Sequence, residues 1–481
     1  MNMKMSHSAL VISLALLLGG CMVGPDYHRT QVPVPARFKP LPGWTLAAPS
    51  AEAPKGDWWT VFNDPLINRL EPSVSVSNQT VRQDYANYQA ALADVETARS
   101  SLFPTIGVTN STTRQRTAGG SSLGGAGAVT NSGSLEGSAS WSIDLWGKVR
   151  RTVEENKATA QASEATLANA TLSEQTALAA AIIELRTSDA NIALLQKTVD
   201  AYQEYLRVLT NQGQYGTAKP SDVITAKTQL ENAQSSLIAL GVARAQYAHA
   251  IAVLVGKNPE DLTIEPSTGM PALPVIPVGV PSTLLQRRPD IAVAEREMAA
   301  QNAAVGVAEA AYYPTLSLSA SDGFSQAPLN GLLHAANHIW SLGADVDDTL
   351  FDFGAREGQV AAAKAAYDGA VANYRGTVLT AFQNVEDDLS NLHILAQQAG
   401  VLDSAVSDAT RGAQIAFNEY QVGTADYTTA ASAQVTQLSA QQNALSVQEQ
   451  RLLDSVSLIG DMGGGWSADA LNDTAHTLAK R

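Results

Sequence analysis

The sequence has a single cysteine, Cys21, among 481 residues. A chain with one cysteine has no intrachain disulfide and no cysteine-rich metal site. Charged residues are also scarce, at 16% against about 25% in ordinary globular domains, whereas hydrophobic residues make up 45%. This combination argues against a disordered chain, which has low hydrophobicity and high charge.

Basic residues are in the minority and do not form long runs. Lysine and arginine number 31 against 46 acidic residues, which gives a formal net charge of −15. The longest run of basic residues is a pair, such as Arg150-Arg151. Proteins that bind the nucleic-acid backbone carry a basic patch or stripe, so the sequence predicts no nucleic-acid partner.

Motifs for catalysis and cofactor binding are also absent from the sequence. There is no G-x-S-x-G motif, and the glycine cluster from Gly119 to Gly127 lacks the lysine of a phosphate loop. His334 and His338 have the spacing of metal ligands, but their surroundings indicate a loop and offer no third ligand nearby in sequence. We therefore expect no enzyme activity, no cofactor and no metal site.

The first twenty residues have the pattern of a secretory signal peptide. Lys4 supplies a positive charge, Ala9 to Leu18 form an apolar segment, and small residues precede Cys21. A buried N-terminal helix is the alternative, but a lone cysteine directly after such a segment favours the signal peptide. The segment resembles a bacterial lipoprotein signal, which implies cleavage before Cys21, acylation of that residue and, because Met22 is not Asp, sorting to the outer membrane. No run of 18 apolar residues follows, so we expect no transmembrane helix.

After a Pro-rich segment from Val32 to Pro54, the sequence contains two copies of one repeat unit. Matching landmarks lie 207 positions apart: Gly147 and Gly354, Gly216-Thr217 and Gly423-Thr424, Gly256 and Gly463. A constant offset over three landmarks indicates internal duplication. The predicted division is a signal peptide at 1–20, a lipidated tether at 21–57, a first repeat at 58–270, a second repeat at 271–466 and a C-terminal tail at 467–481.

Both repeats contain segments in which apolar and polar residues alternate, as in β-strands with one apolar face. The alternation is unbroken from Leu135 to Leu145, and Leu316 to Ala320 and Trp340 to Val346 follow it in the second copy. The pattern is typical of a membrane barrel with a polar lumen, but a soluble one-sided sheet fits it equally well. The predicted hairpins span about 102–146 and about 314–352, with polar loops at Asn110 to Ser134 and Ser321 to His338.

Aromatic residues cluster near the ends of these predicted strands. Such residues suit the interface between a membrane and water, where their rings sit at headgroup level. The predicted membrane-interface residues are Trp141, Trp146, Trp340, Phe351 and Phe353.

Each strand pair is followed by a helix of unusual length that turns back on itself. Lys148 to Asn211 contains no Pro or Gly, and such a helix measures roughly 95 Å. In the second copy, apolar residues from Tyr367 to Tyr420 recur at every third or fourth position, with one extra residue between Val385 and Leu389, as in a coiled coil. Return helices are predicted at Ser221 to Leu254 and Ala425 to Ile459, which gives helical hairpins at 148–255 and 355–460.

Four strands cannot close a barrel, and a sheet with open edges is prone to pairing with other chains. Three copies of the chain would supply twelve strands and close the barrel by symmetry, with the hairpins forming a ring of helices below it. The predicted fold class is an α+β membrane protein. It combines a trimeric 12-strand outer-membrane β-barrel, four strands per chain, with a long periplasmic α-helical coiled-coil barrel and two internal structural repeats.

Further motifs complete a resemblance to a known family. They are Cys21 to Tyr27, Trp58-Trp59 with Phe62, Asp64-Pro65, Arg287 to Ile291 followed by Ala294-Glu295, and Tyr312-Tyr313-Pro314. In this order they resemble the outer membrane factors, the TolC-like efflux proteins, in their lipoprotein branch (OprM- and NodT-like).

The resemblance implies a location, a set of partners and a function. It implies a homotrimer in the outer membrane of a Gram-negative bacterium, lipid-anchored and extending into the periplasm. It also implies docking to a periplasmic adaptor (membrane fusion protein) and to an inner-membrane pump of the RND or MFS type. The implied function is a passive exit duct for drugs or other small toxic compounds.

The resemblance assigns roles to residues at the two predicted helical turns. The family's adaptor-docking tips correspond to Gly216, Thr217, Val422, Gly423 and Thr424, although Gly is also what any helical reversal favours. The periplasmic gate corresponds to Asp222, Tyr420 and Asp426.

Each gate residue also has a purely structural interpretation. A carboxylate in the first turn favours a helix N-terminus, as Asp222 and Asp426 would, and Tyr420 lies in the helix seam. In three chains Asp222 and Asp426 would each form a ring of three carboxylates, which attracts cations and could close in a pH-sensitive way. Thr429 and Ser432 stand where the family carries gate carboxylates, which leaves open whether the second hairpin has a cation-binding ring.

Two further motifs are interpreted as structural. Arg287 to Ile291 begins a helix with Pro289 at an N-terminal position, and we expect the arginines to pair with nearby acids. Trp58 and Trp59 are expected to pack rather than to bind a ligand.

Other functions stay open as alternatives on the sequence. One is a periplasmic coiled-coil lipoprotein with a structural or adhesive role and a soluble sheet. Others are the duct of a protein secretion system and an unrecognised surface hydrolase, for which the sequence nominates no residue. Ion conductance of the extracted protein distinguishes a duct from a structural lipoprotein, which should show none.

Overall fold

The computed structural model describes residues 22–35, 56–116, 129–276, 286–327, 331–469 and 471. The predicted signal peptide and Cys21 lie outside the described residues. The chain forms two compact units: the first consists of Met1–Gln31, Tyr88–Ser163 and Ala294–Tyr374, and the second of Val32–Asn87, Glu164–Val293 and Arg375–Arg481. Both units take segments from both sequence repeats, so neither repeat forms a compact unit alone.

The helices repeat in length as well as in sequence. A helix of 67 residues is followed by one of 35 residues in each repeat, which confirms the internal duplication. At 1.5 Å per residue the longer helix measures roughly 100 Å. The α-helices are α1 (Pro65–Ser77), α2 (Gln79–Ser100), α3 (Lys148–Gln214), α4 (Pro220–Leu254), α5 (Pro289–Ala310), α6 (Ala355–Gln421) and α7 (Tyr427–Asp461).

The first unit contains an antiparallel sheet of four strands in the order β1-β2-β3-β4. Its strands are β1 (Thr105–Arg116), β2 (Val129–Ile143), β3 (Thr315–Gln326) and β4 (His338–Asp347). The two predicted hairpins therefore lie side by side, joined by pairing of β2 with β3.

The two faces of the sheet differ in polarity, as the alternation predicts. Ile106, Ala139, Ala320 and Leu342 form one row across the four strands. The adjacent row, on the opposite face, contains Ser138, Ser321 and Ser341, and the hydroxyl oxygens of Ser321 and Ser341 lie 2.9 Å apart. One face is apolar and the other is lined by hydroxyl groups.

The predicted loops between the strands are too long. Much of the segment from Asn110 to Ser134 is strand, because β1 runs to Arg116 and β2 begins at Val129. Likewise β3 continues to Gln326, within the predicted loop from Ser321 to His338. Serine, threonine and glycine resemble loop residues in composition, but here they occupy paired strand positions on both faces of the sheet.

The helices of the first unit pack through small side chains. Ala91 and Val95 of α2 contact Ala160 of α3. Ala299 and Ala300 of α5 lie in a second cluster that also involves α3. Small residues at these contacts let the helix backbones approach closely, as the frequent alanines predict.

The predicted seam of α6 is buried from Val378 to Leu392, within the second unit. Val378, Ala381, Val385 and Leu389 are at most 4% exposed, and Leu392 is 9% exposed. These positions include the step of four residues between Val385 and Leu389. The coiled-coil pattern in the sequence thus correctly marks the packed face of this helix.

Aromatic residues before α1 form part of the main core of the second unit. Trp58, Trp59 and Phe62 are buried, and the ring of Trp58 contacts each of the other two edge to face. Helix α1 then begins at Pro65, with the carboxylate of Asp64 accepting the backbone N–H groups of the first turn. The tryptophans therefore pack, as predicted.

Arg288 holds the start of α5 within the second unit. Its guanidinium donates to both carboxylate oxygens of Asp290, at 3.0 and 2.7 Å, and to Asp461 Oδ1 at 2.7 Å. It also donates to the Asp461 carbonyl at 2.9 Å. The predicted pairing of an arginine in this motif with nearby acids is confirmed for Arg288.

Helix α4 is long and apolar enough by composition to cross a membrane. Only 11% of its most apolar stretch of 18 residues is buried within the chain. The helix contains no long unbroken apolar run, because polar residues such as Gln234 and Arg244 interrupt it. Its exposed apolar side chains include Ile224, Ile238, Val242 and Val253.

Candidate functional site

Both helical reversals of the second unit use a glycine in the left-handed conformation. Gly216, between α3 and α4, has φ of 72°, and Gly423, between α6 and α7, has φ of 80°. The following threonines donate their backbone N–H groups back into the preceding helix, Thr217 to the Gln212 carbonyl and Thr424 to the Glu419 carbonyl, each at 2.9 Å. The same helix-ending motif therefore closes both hairpins.

The tips expose apolar side chains beside these glycines. Tyr215 is 85% exposed and Val422 is 74% exposed, and no atom lies within 4 Å of a Cβ placed at Gly216 or Gly423. The open surroundings are compatible with a partner at the tips. The positive φ values alone account for glycine at the two reversals.

Two hydrogen bonds join the hairpins close to these tips. The Tyr420 hydroxyl of α6 donates to Gln212 Oε1 of α3 at 2.8 Å. The Tyr427 hydroxyl of α7 donates to Gln229 Oε1 of α4 at 2.9 Å. The two tyrosine rings lie edge to face with centroids 5.9 Å apart, so both bonds belong to one contact region.

A small apolar cluster surrounds the two tyrosines. Tyr427 and Ala431 of α7 are buried against Leu209 of α3 and Ala226 of α4. Tyr205 of α3 adds an edge-to-face contact with Phe417 of α6 at 5.0 Å. The cluster is defined here as the tip cluster, and its buried members are Leu209, Ala226, Tyr427 and Ala431.

Asp426 caps α7 rather than standing free. Its Oδ1 accepts the Thr429 backbone N–H at 3.0 Å and the hydroxyls of Thr428 and Thr429 at 2.8 Å each. These hydrogen bonds, led by the one from the Thr429 side chain, lower the pKa of the Asp426 carboxyl. Thr429 and Ser432 are exposed, and Thr429 supplies the groups that Asp426 binds.

Asp222 lies in the first turn of α4, and its negative charge acts on the hydroxyls of Tyr420 and Tyr427. Burial first, and then the negative charge of Asp222, raise the pKa of the Tyr420 hydroxyl. Burial also raises the pKa of the Tyr427 hydroxyl, with smaller contributions from three neighbouring tyrosines and Asp222. Asp222 thus lies close enough to both tyrosines for its charge to act on their hydroxyls.

The five aromatic residues proposed for the membrane interface fall into two kinds. The Trp146 indole donates to the Pro314 carbonyl at 2.8 Å and stacks on Tyr313 at 4.8 Å, and the Trp141 indole donates to the Leu102 carbonyl at 3.0 Å. The other three are strongly exposed: Trp340 at 69%, Phe351 at 85% and Phe353 at 103%. The exposed three are free to meet lipid, and the other two also stabilise the strand ends.

The segment directly after Cys21 is bound to the first unit. Val23 donates its N–H to the Trp146 carbonyl at 3.0 Å. The buried Arg151 donates to the Val23 carbonyl at 3.1 Å and forms an ion pair with Asp26 at 2.9 Å. Non-periodic sequence of this kind gives no signal of such docking, so the sequence does not predict it.

Met22 also crowds one of the duplicated glycines. A Cβ at Gly147, where φ is 84°, would lie 2.6 Å from Met22 Cγ. Its counterpart Gly354 has φ of 91° with no atom within 4 Å of that position. The strand-to-helix junction is thus open in the second repeat and closed by the N-terminal segment in the first.

Two carboxyl groups are buried in the second unit away from the tips. Glu71 of α1 is fully buried, no described residue hydrogen-bonds its oxygens, and burial raises its pKa to about 9. Asp388 of α6 is 9% exposed, and burial together with the nearby Asp461 carboxylate raises its pKa to about 8. Both groups therefore carry a proton at neutral pH.

His338 does not lie in a loop, as its sequence surroundings predict, but begins strand β4. Its Nε2 lies 2.7 Å from Asp322 Oδ1 on the neighbouring strand. His334 precedes a short 3₁₀ turn at Ala335–Asn337. Among the described residues, no three His, Cys, Asp or Glu side chains are grouped as metal ligands.

Comparison with known proteins places this architecture among membrane channels. A family model described as outer membrane efflux protein matches the chain twice, at residues 72–257 and 280–464. A probable efflux pump outer membrane protein, TtgC of Pseudomonas putida, is 30% identical over 467 residues, which cover 96% of each chain. The outer membrane protein OprJ of Pseudomonas aeruginosa is 28% identical and covers 95% of each chain.

Solved structures have the same fold. The outer-membrane channel OprN matches with a TM-score of 0.83 and 28% identity, over 93% of this chain and 100% of that chain. The CmeC outer membrane channel of Campylobacter jejuni matches with a TM-score of 0.87 at 23% identity, over 96% and 98%. The four-strand sheet and paired long helices are thus the fold of TolC-like channels, as predicted.

Proposed function

Because the chain belongs to the outer membrane efflux protein family, we propose that it is the outer-membrane channel of a tripartite efflux system. It serves as a passive exit duct for drugs or other small toxic compounds. The observation that carries this proposal is the double match of the family model to both repeats of the chain. Relatives named as antibiotic and toluene efflux pump outer membrane proteins support the substrate class.

The duct is a homotrimer in this proposal. Strands β1 and β4 lie at the two edges of the four-strand sheet, and three copies joined through these edges close twelve strands. The exposed apolar side chains of α4 supply a second surface for contact between copies. A neighbouring chain on this helix explains why so apolar a helix is buried so little within its own chain.

The hairpin tips are the proposed docking site for a periplasmic adaptor. Exposure of Tyr215 and Val422 beside the two reversals supports this role. The adaptor links the duct to an inner-membrane pump of the RND or MFS type. The residues assigned to docking are Gly216, Thr217, Val422, Gly423 and Thr424.

The periplasmic gate is assigned to Asp222, Tyr420 and Asp426. The hydrogen bond from Tyr420 to Gln212 supports a closed arrangement that a rotation of the second hairpin would break. Asp426 acts by capping α7, and Asp222 supplies the carboxylate of a ring formed by three chains.

The chain is held in the outer membrane at two places in this proposal. Acyl chains on Cys21 anchor its N-terminus, and docking of Met22 and Val23 beside Trp146 supports an anchor near the strand ends. The aromatic girdle of Trp141, Trp146, Trp340, Phe351 and Phe353 meets the membrane interface.

The test combines mass, conductance and efflux. Purified protein in mild detergent should have the mass of a trimer and conduct ions in planar bilayers. Expression with a matched adaptor and pump in a strain lacking its own outer-membrane channel should restore drug resistance. A folded monomer without conductance would instead indicate a structural lipoprotein, and the duct would be abandoned.

A further inference from the structure

Tyr427 is placed where a residue could hold the two hairpins together. It is the first residue of α7, in the second hairpin, and its side chain is 2% exposed. The groups that bury it include Leu209 of α3 and Ala226 of α4, the two helices of the first hairpin. The ring of Tyr427 is therefore inserted against both helices of the opposite hairpin.

The hydroxyl of Tyr427 makes the insertion specific. It donates to Gln229 Oε1 at 2.9 Å, so a buried polar group receives a partner from α4. A buried phenol or amide left without a partner is strongly unfavourable. Any movement that withdraws the ring breaks this bond and exposes apolar surface of the tip cluster at the same time.

The start of α7 is built to keep Tyr427 in place. Asp426, directly before it, accepts the backbone N–H and side-chain hydroxyl of Thr429 and the hydroxyl of Thr428. A capped first turn is more rigid than an uncapped one. The matching position before α4 is Lys219, which makes no side-chain capping bond, so this reinforcement is confined to the second hairpin.

We propose that Tyr427 is a positioning residue for gating, which latches the second hairpin onto the first in the closed duct through Gln229. The proposal rests on the function proposed above and deepens it. The latch is formed by a neutral phenol and a neutral amide, in a hairpin where Thr429 and Ser432 occupy the acidic positions of the resembled family. Closure then requires no bound cation at the second hairpin.

Conductance of the purified trimer in planar bilayers tests the latch. Tyr427→Phe keeps the ring and removes the hydroxyl, and Gln229→Leu keeps the bulk and removes the acceptor. Each should raise the basal current roughly fivefold or more, because a broken buried hydrogen bond disfavours the closed state. The double variant should leak no more than the leakier single variant. Tyr85→Phe is the matched control, since this tyrosine of α2 is 55% exposed and lies outside the tips, and it should conduct like the parent.

Two outcomes would overturn the latch. Single variants that form trimers and conduct like the parent would reduce Tyr427 to a packing residue. Additive effects in the double variant would show that the two side chains act independently. A purely structural role would lower the melting temperature without changing the basal current.

Hydrogen exchange on the same preparations separates the latch from the duct itself. Amides at residues 205–232 and 417–434 should exchange faster in Tyr427→Phe than in the parent and in Tyr85→Phe. If the parent chain conducts no ions, the duct is overturned and exchange alone decides about the bond between the hairpins. Unchanged exchange would then overturn the latch as well.

Discussion

The two hairpins have the same lengths but different chemistry. Residues at matching positions, 207 apart, differ at the features that matter most: Lys219 against Asp426, Pro220 against Tyr427, Ala181 against Asp388 and Val242 against Glu449. Helix α4 exposes Ile224, Ile238, Val242 and Val253, whereas α7 begins with a capped turn and an inserted tyrosine.

This contrast shows which features the two repeats share and which differ between them. Helix lengths and the positive-φ glycines at the reversals are shared, because they determine where the chain turns. Side chains on the helices differ between the repeats because they contact different neighbours. The first hairpin offers an apolar surface for another chain, and the second carries the groups that hold it onto the first.

Placing negative charges on the exposed apolar side chains of α4, in the first hairpin, should have the largest effect on assembly. Ile238→Glu combined with Val242→Glu, the latter copying Glu449, should abolish the trimer. Each apolar side chain contributes about 1.5 to 3 kcal/mol when fully covered, and a charge in its place would be buried without a partner. The mass of the detergent-extracted protein checks this.

The control for this change keeps the added charge and moves it off the apolar side chains. Asn232→Glu combined with Ser236→Glu adds the same two charges at exposed polar positions of this helix. These positions lie on a different face of the helix from Ile238 and Val242, so the trimer should stay intact. A trimer that survives both changes would mean that α4 does not face another chain.

Replacing Asp388 of the second hairpin by alanine, the residue at the matching position of the first, should remove a pH dependence of stability. The pKa of Asp388 is raised from 3.8 to about 8 in the folded chain, so folding takes up a proton between these values. The contribution of Asp388 to the free energy of unfolding is therefore fully present below about pH 4. It is lost as pH rises through 8, by at most a few kcal/mol. Asp388→Ala, which copies Ala181, should flatten this part of the curve.

Thermal melting of the trimer between pH 5 and 9 measures this effect. Asp408→Asn is the matched control, because Asp408 is an exposed carboxylate farther along the same helix. Its curve should keep the slope of the parent. An equally steep slope in Asp388→Ala would assign the pH dependence to another group, with Glu71 the next candidate because its pKa is raised to about 9.

The smallest effect is expected from the cap that distinguishes the two return helices. Asp426→Ala should destabilise the start of α7 by about 1 kcal/mol, the usual contribution of an N-cap side chain. Hydrogen exchange of the amides at 427–431 measures it. Asp426→Asn should retain most of the protection.

Lys219→Ala supplies the comparison in the first hairpin. Because Lys219 makes no side-chain capping bond, its removal should leave exchange at the start of α4 unchanged. Equal effects of Asp426→Ala and Lys219→Ala would erase the distinction between the two helix starts.

The sequence predicts the repeated framework well, for reasons that are local. The constant offset of 207 and the absence of Pro and Gly determine the long helices, and steps of three and four mark the buried seam of α6. Strand alternation is also correctly interpreted where apolar residues mark one face. It fails from Asn110 to Arg116 and from Ser321 to Gln326, where serine, threonine and glycine carry no such contrast.

The candidate site is less accessible to sequence reasoning, because it depends on register between helices. Tyr420 and Asp222 are found through the family resemblance, and the structure brings them near each other. The pairing of Tyr427 with Gln229 joins positions 198 residues apart, and no period within either helix specifies it. A buried aromatic side chain at the first position of a helix is the one local signal that could have drawn attention to Tyr427.

Gly147 and Gly354 occupy matching positions in the two repeats but differ in the space around them. At Gly354 the backbone conformation is the one obstacle to a side chain, so a residue that tolerates positive φ could replace it. At Gly147 the docked Met22 occupies the space as well. The two copies thus carry different constraints: a side chain at Gly147 requires a change in the N-terminal segment as well, whereas a side chain at Gly354 has only to tolerate positive φ among the described residues.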